Sequence, residues 1–291
     1  MMAAAAVCWS TAGILTRESS IANGWETTFW RSFYASLFMA VLLYTWHGRA
    51  AVARIRAMGW PGLLSGLLLS VMITCFMLAL SRTSTANTLM LTCTSPFYAA
   101  VMGRMFLKEK VPLRTWIAMP CAFAGIFLMF FQSLDAGGGK GFSGNLIALL
   151  VPLAYGFNIV IIRRSGHAID MAPTVLLGAV FSALLALPFA LPLTATPFDH
   201  LLMLALGVVQ LGVGCVLMTR AVRYLRATEV GLLSLLETIL GPLWTWIGVG
   251  ETPAAMTLVG GAIVVSALVA NELAGLWLEN RLENRDSGVA R

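Results

Sequence analysis

Runs of about twenty apolar residues recur from one end of the chain to the other, parted only by short polar or basic clusters. At about 1.5 Å per residue, a helix of that length crosses a hydrocarbon core roughly 30 Å thick. Pro61 to Leu80 and Leu113 to Phe131 are two such runs, and charge touches them only near their ends. With 59% of residues hydrophobic and 11% charged, no water-soluble fold could hide the apolar surface. The pattern predicts an all-α integral membrane protein with lipid as its solvent, and places helices near 2–17, 28–46, 60–81, 85–106, 113–132, 144–163, 172–192, 200–221, 228–249 and 254–277. The run from Met1 to Leu15 has the length of a signal peptide but no basic segment before it, so it reads as the first helix.

The net charge of +6 would suit nucleic acid only if it formed a basic face on a soluble domain. Here it lies between the apolar runs. Fifteen Arg and Lys fall on one side of the predicted membrane, among them Arg49, Arg54, Arg56, Arg104, Lys108, Lys110, Arg163, Arg164, Arg220 and Arg223. The other side holds three, Arg17, Arg82 and Lys140, with Arg31 just inside the second helix. Cytoplasmic loops retain basic residues, so both termini are expected in the cytoplasm and the number of spans is even.

Laid against itself, the chain matches from Ala79–Glu109 to Ala221–Glu251 at a constant offset of 142, which sets Ser95 on Glu237 and Glu109 on Glu251. Near the start of each half the offset is 146, with Trp9 on Tyr155 and Arg17 on Arg163. The expected organisation is a first five-helix repeat over 1–140, a second over 141–280 and a cytoplasmic tail over 281–291. Five is odd, so the second half enters the membrane inverted: ten helices as two inverted five-helix repeats around a central cavity, a plan used by secondary transporters.

Polar residues at depth locate the candidate site. On the fourth helix Thr88, Thr92 and Ser95 share one face, and the ninth presents Ser234, Glu237 and Thr238 against Leu and Ile. Glu237 lies halfway along its span with no basic residue expected at its depth; it reads as a cation or ammonium ligand, as a proton-carrying group, or as a carboxyl bonded to a neighbouring helix. Trp9 and Ser10 on the first helix, Tyr155 and Asn158 on the sixth and Gln210 on the eighth would complete a cavity lined by aromatic faces, amides and hydroxyls, or serve as interhelical glue. Pro96, with Gly241 and Pro242, are hinge candidates or static kinks.

Enzymatic motifs are missing. There is no GxxxxGK[ST], since Gly137-Gly138-Gly139-Lys140 lacks its spacing, and His47, His167 and His200 form no HExxH. The five cysteines lie inside predicted spans without metal spacing, so neither cofactor nor metal is expected. An intramembrane enzyme or a channel is the weaker reading.

Several short motifs together carry a likeness: Trp9-Ser10, Arg31, Ala79-Leu80 leading to Ser95-Pro96, Leu107-Lys108-Glu109, and Ala221 through Leu235-Leu236-Glu237 to Gly250-Glu251. In these the sequence resembles the EamA-type, ten-helix members of the drug/metabolite transporter superfamily, and within them the amino-acid exporters of the YddG type. One departure is Thr238, where the family usually has proline after the ninth-helix glutamate; the nearest proline is Pro242. The resemblance implies a secondary transporter of the bacterial inner membrane that exports amino acids or related small metabolites by alternating access, or alternatively extrudes drugs and organic cations. Its partners would be that small solute, membrane lipid and a coupled proton, with no nucleic acid. A duplicated chain can build the whole pathway alone, which implies a monomer.

Overall fold

A computed structural model of the chain describes residues 1–135, 139–166 and 169–289. Gly137, Gly138, His167 and Arg291 lie outside the described residues. Every element is helical: α1 (Met2–Ser10), α2 (Ala12–Glu18), α3 (Gly24–His47), α4 (Ala50–Ala57), α5 (Gly59–Leu80), α6 (Thr85–Thr92), α7 (Ser95–Leu107), α8 (Leu113–Asp135), α9 (Gly139–Ser165) and α10 (Met171–Ala190) come first. There follow α11 (Pro197–Leu204), a π-helical segment (Ala205–Val213), α12 (Gly214–Ala221), α13 (Ala227–Val249) and α14 (Ala255–Val289). Among the described residues, seven stretches are long and apolar enough to cross a membrane: Gly59–Leu80, Leu113–Phe130, Gly139–Ser165, Met171–Ala190, Pro197–Ala221, Thr228–Val249 and Ala255–Leu278. Large apolar side chains such as Leu67, Phe127 and Ile247 are left more than half exposed, as lipid-facing positions are. The chain is an all-α, multi-pass membrane protein.

Local chemistry explains why the other expected spans look different. The first is broken at Thr11, where Ser10 and Thr11 turn their hydroxyls onto the carbonyls of Val7 (2.8 Å) and Cys8 (2.7 Å). The fourth is broken at Cys93–Thr94. Pro96 has no N–H for the carbonyl of Thr92, and the Ser95 hydroxyl takes it instead at 2.6 Å. These corrections split two expected helices into α1–α2 and α6–α7. The second, α3, begins at Gly24, four residues before the expected start, because the Asn23 side chain accepts the Trp25 N–H at 3.0 Å and caps it. The basic helix α4 was not foreseen, and α14 runs on as helix to Val289, past the expected end at 277.

Packing pairs α3 with α10, α8 with α14, α5 with α9 and α10, α7 with α9, and α1 with α13. Under the sequence offsets, α1 on α13 and α9 on α7 are equivalent contacts. Where α8 crosses α14 the backbones touch: a Cβ on Gly125 would stand 2.5 Å from the Gly260 carbonyl, and the reverse holds as well. Only glycine permits that approach.

Candidate functional site

Two of the expected site residues, Trp9 and Gln210, come together with Arg31 where the π segment packs between α1 and α3. Arg31 projects from α3 about 10 Å below its start, seven residues at 1.5 Å each, and is 2% exposed. Its Nε and Nη2 donate to Gln210 Oε1 at 3.2 and 2.8 Å, and the Gln210 amide reaches back to the Trp9 carbonyl at 3.5 Å. Phe76 of α5 faces the guanidinium at 5.8 Å. Nη1 of Arg31 is buried without a partner.

Glu237 lies midway along α13. It accepts no hydrogen bond among the described residues and keeps some exposure. Nor does it touch Arg31 directly, since the direct ion pairs among the described residues are Arg17–Glu251, Arg54–Asp170 and Arg163–Glu109. The earlier start of α3 places Arg31 seven residues into its helix rather than three, and the Asn23 cap was the signal that could have shown it.

The remaining candidates divide by what their polar atoms already do. Ser10, fully buried, accepts the Trp244 indole N–H at 3.0 Å, which ties α1 to α13. Thr88, Thr92 and Ser234 each donate to a carbonyl of their own helix or its cap, at 3.1, 3.1 and 2.7 Å, and Ser95 donates across the α6–α7 break to Thr92 at 2.6 Å. Thr238 is buried on α13, and the Cys93 thiol at the α6–α7 break donates to the Met90 carbonyl at 3.1 Å. Asn158 accepts the Ser65 hydroxyl at 2.6 Å and serves the α5–α9 contact, away from Glu237; Tyr155 lies one turn before it on α9. Among the hinge candidates, Pro96 is in the first turn of α7, whereas Gly241 and Pro242 are buried inside an unbroken α13.

Two further ion pairs join opposite ends of the helix run. Arg17 Nε meets Glu251 Oε2 at 2.8 Å, while Glu251 also accepts the Thr85 N–H at 2.7 Å and Arg17 donates to the Thr83 carbonyl at 2.7 Å. At the far end of α6–α7, Arg163 pairs with Glu109. The local geometry that aims each glutamate is the same. Lys108 and Gly250, 142 apart, both take the left-handed conformation (φ 56° and 70°) and end their helices. The next N–H then bonds back to Gly103 at 3.3 Å in one case and to Thr245 at 3.1 Å in the other, positions again 142 apart. Sequence reading had named all four charged residues but had not paired them; the sign was that Arg17 and Arg163 exchange under one offset while Glu109 and Glu251 exchange under the other.

Two cavities can be described, and neither is lined by an expected site residue. One, of about 600 Å³, lies between α8 and α14 against Cys121, Ile263 and Ser266. The second, of about 220 Å³, is walled by Met39, Trp46, Val175, Cys215, Arg220 and Arg223 and borders the charged site through Cys215.

Comparison with known proteins agrees with this architecture. The family model described as the EamA-like transporter family matches twice, over residues 1–131 and 142–271. The pseudopaline exporter CntI of Pseudomonas aeruginosa is 27% identical over 247 residues, which is 82% of this chain and 84% of that protein. The mouse solute carrier family 35 member G1 is 24% identical over 219 residues, 69% of this chain and 58% of the relative. A solved crystal structure superposes with a TM-score of 0.64 at 17% identity, covering 95% of this chain and 96% of the other, and so shares the fold.

Proposed function

Because the chain belongs to the EamA-like transporter family and is a secondary membrane transporter rather than an enzyme, we propose that it exports small metabolites, amino acids among them, by alternating access between two inverted halves, 1–140 and 141–280. The observation that carries this reading is the exchange of ion pairs. Arg17–Glu251 and Arg163–Glu109 each bridge the two halves. The offsets turn one pair into the other, and about 35 Å of α6–α7, 23 residues long, separates them. A fold with one such bridge at each mouth can open either side in turn, which is what alternating access requires. Ten crossings follow if α1–α2, α3 and α6–α7 also traverse the bilayer. The basic loops then face the cytoplasm of a bacterial inner membrane together with both termini, and the pathway is complete in a monomer.

Export as the direction draws support from the pseudopaline exporter among the relatives. Efflux of organic cations is the second reading, favoured by a Glu237 carboxylate that accepts no hydrogen bond. Liposomes reconstituted with the protein and loaded with labelled threonine, methionine or phenylalanine are expected to lose label faster than protein-free ones. No protein-dependent flux across a panel of amino acids and organic cations would sink the proposal. Proton coupling belongs to the same reading. An imposed proton gradient accelerates wild-type flux, and Glu237→Gln, which removes the carboxylate midway along α13, abolishes that acceleration. Equal acceleration in the variant would return Glu237 to a structural role.

A further inference from the structure

The smaller of the two cavities is built differently at its two ends. Its floor is apolar and enclosed: Met39 of α3 is 1% exposed and Val175 of α10 is 3% exposed, and Val216 of α12 lines it with them. Its rim is polar and open, formed by Trp46, Arg220 and Arg223, all exposed. The rim lies at one end of three helices at once. Trp46 is one residue short of the end of α3, Ala172 is the second residue of α10, and Arg220 is the last but one of α12. Pro197–Ala221 and Met171–Ala190 are long and apolar enough to cross a membrane, so their shared end stands at the level of the lipid headgroups. Met39 lies about 10 Å along α3 from Trp46, and Val175 about 5 Å along α10 from Ala172, which puts the floor at the depth of acyl chains.

The rim arginines have their charge unspent. Arg220 lies over the Trp46 ring at 5.5 Å, and neither it nor Arg223 donates a side-chain hydrogen bond or joins an ion pair among the described residues. Asp170, which caps α10 at this same end, is already taken by Arg54 at 3.3 Å and by the Ala172 N–H. We propose that this cavity binds an anionic phospholipid, its phosphate on Arg220 and Arg223 and the upper part of one acyl chain over the floor of Met39, Val175 and Val216. A guanidinium grips phosphate through parallel hydrogen bonds, and a tryptophan at headgroup level anchors the same interface. A free phosphate would satisfy only the rim, and an uncharged amphiphile only the floor. A zwitterionic phospholipid offers a phosphate but brings its own ammonium into a positive field, whereas an anionic one meets that field with net negative charge. The walls come from α3 on one side and from α10 and α12 on the other, so a seated lipid braces them together. The site goes beyond the export reading and holds whatever solute is moved.

The test titrates purified full-length protein in detergent with dioleoylphosphatidylglycerol, dioleoylphosphatidylcholine and glycerol 3-phosphate, reading retained lipid by native mass spectrometry and stability by thermal melting. Phosphatidylglycerol is expected to bind roughly tenfold more tightly than phosphatidylcholine or better and to raise the melting temperature, while glycerol 3-phosphate does neither. Arg220→Gln combined with Arg223→Gln should weaken phosphatidylglycerol about 30-fold, the loss of two basic residues at headgroup level, and leave phosphatidylcholine unchanged. Val216→Phe, which fills the floor and keeps both arginines, should lose the lipid as well. Arg49→Gln with Arg56→Gln, two exposed arginines at α4 outside the cavity, is the control and should cost about threefold or less. Phosphatidylcholine binding as tightly as phosphatidylglycerol, stabilisation by glycerol 3-phosphate alone, or undiminished lipid in either cavity variant overturns the site. An equal loss in the α4 control overturns it too, since the attraction would then belong to the whole basic surface. Both rim arginines are exposed, so their variant is expected to fold, and the wild-type lipid series decides even where it does not.

Discussion

Glu251→Gln is expected to open the mouth that the proposed topology places outside, while the equivalent change at the other end, Glu109→Gln, does little. The two ion pairs are equivalent by repeat but not by environment. Glu251 and Arg17 are 20% and 31% exposed at their side chains, and the carboxylate also holds the Thr85 amide and hydroxyl at 2.7 and 3.2 Å. Glu109 and Arg163 are 41% and 51% exposed. An exposed pair of that kind contributes at most about 1 kcal/mol, whereas losing several hydrogen bonds to a half-buried carboxylate costs about 2 kcal/mol, roughly 30-fold in the balance between closed and open. The resting protein should therefore keep that mouth shut and meet its substrate from the other side, as the proposed export requires. Amide hydrogen exchange reads this directly. Peptides spanning 81–92, where the Thr85 N–H is tied to Glu251, should exchange about tenfold faster or more in Glu251→Gln, while peptides spanning 103–112 in Glu109→Gln stay near wild type. Equal acceleration at both ends would mean that the outer bridge is not the stronger one.

How much of this was legible in the sequence depended on range. Bilayer-spanning runs are one-dimensional, and hydropathy placed each expected helix where the structure has helix. Breaks inside the runs were harder, because Ser10, Thr11 and Ser95 act through carbonyls three residues back, a contest between side chain and backbone that hydropathy does not register. The start of α3 was readable from Asn23 and was missed, and with it the depth of Arg31. The αL corners at Lys108 and Gly250 were half legible: the Gly announced itself, while a lysine in that conformation is uncommon and only the offset of 142 marks it.

Long-range partners were least legible. Glu26 is fully buried because it accepts the N–H groups of Thr194 (2.6 Å) and Ala195 (2.8 Å), some 170 residues away in sequence. Asp199 is buried between the Thr196 cap and Ser19–Ser20. Its local half, Thr196-x-x-Asp199, is a capping box that composition alone proposes; its other half requires the fold. The polar stripes of the fourth and ninth helices were found at the right spacing, yet most of their hydroxyls are spent on their own backbones. Glu237 lies on a stripe that the sequence shows, whereas buried Arg31, bonded to Gln210, comes from a helix to which no polar stripe had drawn attention.

Gly207→Val is expected to be among the most damaging single changes in the chain, for stability and for the site together. Gly207 lies in the π segment flat against α3, and a Cβ there would stand 2.6 Å from the Arg31 carbonyl, 2.7 Å from the Ala35 nitrogen and 2.8 Å from Tyr34 Cβ. Two of those atoms are backbone, so no rotamer change relieves the clash and the two segments must part. Parting them undoes packing along the seam and withdraws Gln210, three residues on, from Arg31. Overpacking of this kind costs about 3 kcal/mol, and in a chain of this size that lowers the melting temperature by roughly 6–12 °C. Gly141→Val is the control, since nothing stands within 4 Å of its Cβ, and its melting point should stay within about 2 °C of wild type. Gly207→Ala carries the same Cβ against the Arg31 carbonyl and the Ala35 nitrogen but no further methyl groups, and is expected to melt between Gly207→Val and the wild type. A Gly207→Val protein that melts with the wild type would show that α3 and the π segment can move apart without loss, and Arg31 could not then owe its position to Gln210.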